Sequence, residues 1–269
     1  MLRGLQLLVR TVLCGSVLVG IGSLENANAV TYSHNRIAIT ADGNYNDRDD
    51  WGAAPMELAL LAKRDLQSEL VHYDWANIIG PNNPKFYDEM KASISGATRR
   101  LGFKNSRFFD CINDLESAIN NLQEEIDAST SSDPLFIIAI GPMEVLWRAV
   151  NASDPDKRQY ATVISHTKWN SNTTYPPTMT HTRADVEALG VKWIQIKDQN
   201  VGLYSKHSNG SNDWSPWLWL RDAPLSRMRW IYSRMRTSGK PDVSDAGVVY
   251  YLLTNRQDAT PSKPNFPGQ

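Results

Sequence analysis

Short apolar segments alternate with longer amphipathic segments along most of this chain, and this alternation restricts the possible folds most. The clearest apolar segment is Pro134–Ile140 (PLFIIAI), which is almost wholly apolar, as expected of a central strand covered on both faces. The longer segments, such as Pro84–Leu101, carry apolar residues at helical spacing. Strand followed by helix, repeated, predicts a doubly wound α/β fold with a mostly parallel sheet and helices on both faces.

The predicted elements form one series without an internal repeat or an interdomain linker. The predicted strands are Arg36–Ala41, Glu69–Trp75, Pro134–Ile140, Ala161–Ser165 and Val191–Ile196. The predicted helices are Trp51–Gln67, Pro84–Leu101, Asp110–Ala128, Met143–Ala152, Ala223–Thr237 and Ser244–Leu253. We therefore expect a single domain over residues 30–256 and a loose, proline-containing tail over 257–269.

Residues 1–29 have the parts of a cleavable signal peptide. Arginines precede an apolar run over 11–24, and Ala27-Asn28-Ala29 is a small-x-small cleavage site. The apolar run is shorter than the about 20 residues that span a bilayer, which favours cleavage over a retained membrane anchor. We expect a secreted or periplasmic protein that begins at about Val30 and has no membrane anchor.

Charge and cysteine content narrow the function classes. The formal net charge is −1, and no basic patch stands out, so nothing indicates a nucleic-acid partner. Cleavage would remove Cys14 and leave Cys111 alone, so the mature chain would have no intramolecular disulfide. We therefore expect a small-molecule partner. Without a disulfide, the mature protein would depend on its hydrophobic core for stability.

The densest group of polar residues lies between the first predicted strand and the helix that follows it. The segment from Asp42 to Asp50 (DGNYNDRDD) holds four aspartates and two asparagines. Ligands of parallel sheets bind beyond the carboxyl ends of the strands, and oxygen ligands suit calcium or magnesium. An EF-hand loop is excluded because Ala53 stands where that loop needs its bidentate glutamate. A helix-capping turn, with Asp49 or Asp50 as the N-cap, is the alternative.

Other candidate site residues follow later strands. His166 could protonate a leaving group or be a hydrogen-bonded loop histidine, and Asn170 follows it in the same segment. Asp198 could bind substrate hydroxyls or belong to a polar turn. Three tryptophans suited to stacking on sugars or to packing a loop onto the core are Trp214, Trp217 and Trp219. Glu144 could be a carboxylate partner of Asp42 or a first-turn helix acid.

Three motifs together resemble the nucleoside hydrolase superfamily. Asp42, Asp49 and Asp50 match its opening aspartate motif with one extra residue in the loop, and Asn44 stands near its second aspartate. The segment 138–144 (IAIGPME) is similar to its central Gly-Pro-Leu-Thr-Asn motif, with Glu144 in place of the threonine. The segment 243–250 (VSDAGVVY) looks like its final aspartate before an apolar helix, with Ser244 in place of the usual histidine.

The resemblance implies a calcium-dependent hydrolase of a nucleoside-hydrolase-like fold. It implies that Asp42, Asp49, Asp50 and Asp245 bind the ion, together with a backbone carbonyl near Glu144. Asp42 would act as general base on a water bound to the ion, and Asn44 would contact the substrate. The bond that is cleaved would be N- or O-glycosidic, and the tryptophan content favours a saccharide over a free nucleoside.

Two other functions remain open from the sequence. A non-catalytic carbohydrate-binding protein could have the same fold, because a fold does not determine a function. The acidic loop could also contribute only to stability. Turnover of glycosides would separate the hydrolase from both alternatives.

Overall fold

The computed structural model describes residues 32–262, so the predicted signal peptide lies outside the described residues. It contains one six-stranded, all-parallel sheet in the order β3-β2-β1-β4-β5-β6, with helices on both faces. The predicted doubly wound α/β fold is confirmed. The strands are β1 (Arg36–Ala41), β2 (Leu70–Trp75), β3 (Phe108–Asp110), β4 (Leu135–Ile140), β5 (Ala161–Ser165) and β6 (Lys192–Gln195).

Ten α-helices accompany the sheet in the described part of the chain. The long ones are α1 (Asp50–Lys63), α2 (Pro84–Leu101), α3 (Leu115–Asp127), α4 (Glu144–Ala152), α9 (Ser226–Ser238) and α10 (Ala246–Thr254). The short ones are α5 (Lys168–Asn172), α6 (Arg183–Glu187), α7 (Asn200–Leu203) and α8 (Leu218–Arg221). The described residues contain no helix long and apolar enough to cross a membrane.

The two faces of the sheet bury separate cores because successive strand residues point to opposite sides. In β1, Ile37 and Ile39 pack with α1, α2, α9 and α10, whereas Ala38 belongs to the core under α3 and α4. All six residues of β4 are buried, as its apolar sequence predicts. Strands β1 and β4 are parallel neighbours, with Ile39 opposite Ile138, so the predicted pairing of these two segments is confirmed.

The chain departs from the predicted elements at β3. We expected a helix from Asp110, but Phe108–Asp110 is a short edge strand and α3 begins only at Leu115. Phe108 stacks on Tyr73 and Phe109 stacks on His72, so contacts with β2 fix this segment as a strand. Local helical spacing did not reveal these long-range contacts.

The segment after residue 256 also departs from expectation. We expected it to be loose, but Ala259 is buried in the core, and Trp219 Nε1 donates to the Pro261 carbonyl at 2.7 Å. The packed chain therefore extends past the predicted domain boundary. Residues 263–269 lie outside the described part.

The strand order makes one place on the sheet suited to a ligand. From β1 the chain runs through β2 to β3 on one side, and β4 then starts the other half of the sheet. At this topological switch point the connections from β1 and β4 diverge, which opens a crevice beyond the carboxyl ends of the two strands. Asp42 and Gly141 directly follow these strands.

Candidate functional site

A cleft of about 140 Å³ lies at this crevice, and we call it the acidic cleft. Its lining comes from the ends of β1, β4 and β5, from the start of α7 and from the loop before α10. The residues of the lining that carry chemistry are Asp42, Asp47, Asp49, His166, Asn170, Lys240, Asp242 and Asp245. Residues about two hundred positions apart in sequence thus share one small cavity.

Asp42 is held at the bottom of the cleft by a sharp turn of the chain. Gly43 has a φ of 88°, and a Cβ at this position would lie 2.9 Å from the sulfur of Met90, so glycine alone fits without strain. The Gly43 carbonyl accepts a hydrogen bond from Trp51 Nε1 at 3.1 Å. Asp42 is 2% exposed, and its Oδ2 has no hydrogen-bond partner among the described residues.

Burial, and after it repulsion between carboxylates, determines the electrostatics of the cleft. Burial, and then the charges of Asp47 and Asp245, raise the pKa of Asp42 well above its ordinary value. Burial and the charges of Asp42 and Asp245 raise the pKa of Asp50 in the same way. Burial likewise raises the pKa of Asp242 to about 6. An added positive charge would therefore stabilise this cluster.

Lys240 already offsets part of the negative charge, at the rim of the cleft. Its Nζ lies 2.9 Å from Asp47 Oδ1 and 2.5 Å from Asp49 Oδ1. Asp49, which we predicted as a metal ligand, is thus engaged by an ammonium group. Asp42, Asp50 and Asp245 form no ion pair with Lys240, which leaves them as the candidate ligands of a cation.

Two helix N-termini also face the aspartates. Helix α1 begins at Asp50, and α10 begins at Ala246, directly after Asp245. The partial positive charge at a helix N-terminus stabilises nearby carboxylates. The side chain of Asp49 makes no capping hydrogen bond with α1, so the capping role that we considered for Asp49 is not seen.

One observation favours a divalent cation in the cleft: Oδ2 of Asp42 is buried and has no hydrogen-bond partner among the described residues. Asp42, Asp50 and Asp245 could hold such an ion, since all three supply carboxylate oxygens. As arranged in residues 32–262, no group of three His, Cys, Asp or Glu side chains could hold a metal ion. Calcium as a cofactor therefore remains a proposal.

His166 links β5 to Asp245. Its Nε2 lies 2.8 Å from Asp245 Oδ1, while its Nδ1 lies 3.3 Å from the backbone nitrogen of Gln199 and 3.6 Å from Asp198 Oδ1. Burial lowers the pKa of His166, but the carboxylates of Asp198 and Asp245 outweigh burial and raise it to about 9. The raised pKa favours the charged ring at neutral pH, and Nε2 is directed at the Asp245 carboxylate.

Glu144 does not belong to the acidic cleft. Its Oε1 accepts from Arg148 at 2.8 Å, and its Oε2 lies 2.9 Å from His181 Nδ1 and accepts from the Thr180 backbone nitrogen at 2.9 Å. These bonds hold the loop before α6 onto α4. The Glu144 carboxylate is engaged by these groups and makes no contact with Asp42; Glu144 is the acid in the first turn of α4, the alternative that the sequence left open.

Asn44 is also a structural residue. It is fully buried, its Nδ2 donates to the Ile78 carbonyl at 3.0 Å, and its Oδ1 accepts from the Ile78 nitrogen at 3.3 Å. Asn44 therefore holds the loop after β1 against Ile78 and does not line the acidic cleft. Asn170, by contrast, lines the acidic cleft, and its buried Nδ2 has no hydrogen-bond partner among the described residues.

None of the three predicted sugar-stacking tryptophans lines the acidic cleft. Trp217 is fully buried and donates to Ser205 Oγ at 3.0 Å. Trp214 packs edge-on against Tyr232 and under Arg236. Trp219 lines a separate 670 Å³ groove between the C-terminal ends of α1 and α2, toward the other end of the sheet. Packing of a long loop onto the core, the alternative that the sequence left open, accounts for all three.

Trp169 is the tryptophan that does reach the cleft, and it is 37% exposed. It also lines a second cavity of about 880 Å³ beyond β5 and β6, which we call the outer groove. Asp198 lines the outer groove as well, and its hydrogen bond with His166 lowers its pKa to about 2. Trp169 and Asp198 both follow strands, so the strand-end rule indicated their region.

Sequence reasoning missed four residues of the site: Asp47, Trp169, Lys240 and Asp242. Asp47 and Trp169 lie inside segments that the strand-end rule had already indicated. Asp242 accepts a hydrogen bond from the Ser244 nitrogen at 3.0 Å and so shapes the turn before α10. The segment 240–245 (KPDVSD), with three charged residues just before an apolar helix, was the signal that could have revealed the last two.

Glu57, on α1, is a buried acid near the cleft, and its replacement tests the electrostatics. Burial, and then the charge of Asp245, raise the pKa of Glu57 to about 8, although Tyr73 donates to it at 2.8 Å. Its folded pKa exceeds its unfolded pKa, so the stability that it contributes is lost as pH rises from about 4.5 to about 8. Glu57→Gln should remove this loss.

The free energy of unfolding of Glu57→Gln should therefore rise relative to wild type across that pH range, by a few kcal/mol at ~1.4 kcal/mol per pKa unit. Urea unfolding at several pH values measures the difference. Glu116→Gln, an exposed acid on α3, is the matched control and should show no such trend. A difference independent of pH would contradict the raised pKa.

The fold and the cleft define a class: a doubly wound α/β protein with a carboxylate-rich cleft at its topological switch point. No protein-family model matches the chain. The chain is 34% identical over 237 residues to Uncharacterized protein P22 of Formosa agariphila, which covers 81% of this chain and 83% of that one. The chain belongs to the same family as that protein. No solved structure matches it.

Proposed function

We propose that this protein is a metal-dependent hydrolase of glycosidic bonds, of the nucleoside-hydrolase type, with the acidic cleft as its active site. One observation carries the proposal: a buried carboxylate oxygen of Asp42 without a partner, among other carboxylates at the switch point of a parallel sheet. Structural carboxylates are normally paired when buried, so an unpaired one in a cleft indicates a ligand or a reaction.

Asp42, Asp50 and Asp245 would hold a divalent cation, with calcium the favoured ion. When bound, the ion would lower the pKa of a water molecule in the cleft. Asp42 takes the proton of the attacking water as general base. The water oxygen bonds to the anomeric carbon, and the glycosidic bond breaks with its electron pair leaving on the departing oxygen or nitrogen. The carboxylates stabilise the positive charge that develops on the sugar.

His166 would supply the proton that the leaving group needs. It lines the acidic cleft, and the carboxylates of Asp198 and Asp245 raise its pKa to about 9, which favours the protonated ring in the metal-free protein. The hydrogen bond to Asp245 fixes the orientation of the ring, so His166 and the candidate metal ligand act together. The substrate would be a saccharide or a nucleoside-like glycoside, and the exposed indole of Trp169 favours the saccharide.

A non-catalytic carbohydrate-binding protein is the second candidate. Trp169 at the mouth of the cleft favours it, because an exposed indole binds a sugar face without any chemistry. Release of free sugar or base from a set of 4-nitrophenyl glycosides and nucleosides, measured with calcium and with EDTA, separates the two. Calcium-dependent release supports the hydrolase, and sugar binding without release supports the second candidate.

Calcium should stabilise the folded protein, since a ligand that binds only the native state raises its stability. At a calcium concentration of 100 times Kd the gain is about 2.7 kcal/mol. Thermal melting with calcium and with EDTA measures it. Asp50→Asn should lose most of the calcium effect, whereas Asp88→Asn, an exposed position on α2, should keep it. Equal melting temperatures of wild type in calcium and EDTA would contradict the metal site.

A further inference from the structure

The acidic cleft is too small to enclose a whole substrate. Its volume of about 140 Å³ lies well below the roughly 300–1,000 Å³ of pockets that bury small-molecule ligands. A sugar ring that reacts at Asp42 must therefore belong to a molecule whose remaining part lies outside the cleft.

The outer groove adjoins the cleft and offers that space. It has a volume of about 880 Å³ and lies beyond the carboxyl ends of β5 and β6. The two cavities share His166, Thr167, Trp169 and Asn200 as lining residues. His166, the proposed proton donor, thus stands at the boundary between them, where a leaving group would pass from the cleft into the groove.

The lining of the outer groove has the chemistry of a carbohydrate site. Hydrogen-bonding side chains at its wall are Lys168, Asn172, Arg183, Glu187, Gln195 and Asp198. The apolar side chains of the lining are Ala184, Ile196 and Trp169, and the Trp169 side chain is exposed. Sugars present hydroxyl groups at their edges and an apolar face, which such a mixture of planar polar groups and one indole can bind.

The polar side chains of the groove are held in place before any ligand binds. Arg183 forms two hydrogen bonds with Glu187, both at 3.0 Å, and another with Gln195 Oε1 at 3.0 Å. Its guanidinium also stacks on Trp193, at 4.9 Å from the ring centroid. Preorganised donors and acceptors bind a ligand at a smaller entropic cost than mobile ones.

We propose that the outer groove binds the chain of an oligosaccharide whose reacting unit occupies the acidic cleft. This inference rests on the proposed glycosidic hydrolysis and adds the substrate class: a saccharide of several linked units rather than a free nucleoside or monosaccharide. Trp169 stacks on the unit next to the bond that is cleaved, because this indole lines both cavities. The groove beyond it contributes affinity that increases with chain length.

Ala184→Trp tests the groove by filling it. Ala184 lies on α6 at the groove wall and is exposed, so an indole fits on the surface without disturbing the core. Ala188→Trp, on the same surface just after α6, is the matched control outside the groove. Binding is measured on an array of mono- to hexasaccharides. Wild type and Ala188→Trp should retain longer chains better, and Ala184→Trp should bind them at least about tenfold more weakly.

Retention of no saccharide by wild type, retention independent of chain length, or equal retention by Ala184→Trp would overturn the inference. Thermal melting of each variant without added calcium reports whether its fold is intact. Turnover is measured separately, so the two proposals fail separately. Length-dependent binding without turnover would reject the hydrolase and leave the groove as a saccharide site, whereas turnover without length-dependent binding would reject only the extended substrate.

Discussion

Asp42→Asn should lower glycoside turnover by at least about 10²-fold, the contribution expected of a general base. Asparagine has the size of aspartate but cannot take a proton from water. The same change should raise the melting temperature in EDTA, because Asp42 is buried among carboxylates that raise its pKa. In the same preparation, turnover should therefore fall while the melting temperature rises. A misfolded variant would lose turnover and would also melt at a lower temperature.

Asp47→Asn is the matched control in the same loop. Asp47 Oδ1 lies 2.9 Å from Lys240 Nζ at the rim of the cleft, and Asp47→Asn keeps the Asp42 carboxylate in place while removing one of the charges that raise its pKa. Its replacement should keep most of the turnover and should stabilise the protein less than Asp42→Asn does, since the charge that it removes is already paired with Lys240. Wild-type turnover by Asp42→Asn would show that the acidic cleft is not the catalytic site.

Asp245→Ala should weaken calcium binding by more than the roughly 10–100-fold that the loss of an outer-shell partner costs. The change removes one of three candidate ligands and the 2.8 Å partner of His166. The pKa of His166, about 9 in the wild type, should fall toward its ordinary value. Calorimetry measures the calcium affinity, and NMR titration of the imidazole protons measures the pKa.

Asp198→Ala separates the two roles of Asp245. Asp198 also faces His166, at 3.6 Å, but lines the outer groove rather than the acidic cleft. Its removal should lower the pKa of His166 while calcium affinity stays at the wild-type level. If Asp245→Ala also keeps wild-type calcium affinity, Asp245 only orients the histidine and is not a ligand.

The central sheet was predictable because its signals are local. The apolar run of β4 and the short apolar run of β1 identify themselves within a few residues, and the strand-end rule then indicates where a ligand would bind. Strand β3 and the packing of Ala259 were not predictable in this way, because each depends on contacts with distant segments. Local patterns carry no information about such partners.

The location of the candidate site could be predicted from the sequence, but not all of the residues that line it. Asp42, His166, Asn170 and Asp245 do line one cleft. Glu144 and Asn44 carry the right chemical groups at the right strand ends, but neighbouring loops already use all of their hydrogen-bonding capacity. The three clustered tryptophans were expected to stack on sugars, but a large aromatic side chain packs equally well in a protein core.

The acidic cleft is assembled from the two ends of the folded domain, because Asp42 follows the first strand and Asp245 precedes the last helix. Domains tend to fold from the N-terminal side as the chain is made, but here the early aspartates obtain Lys240, Asp242 and Asp245 only at the end. A chain without its C-terminal segment would therefore leave Asp47 and Asp49 without the ammonium group of Lys240. The proposed activity would be restricted to complete chains, because Asp245 is in place only when the segment that leads into the last helix has folded.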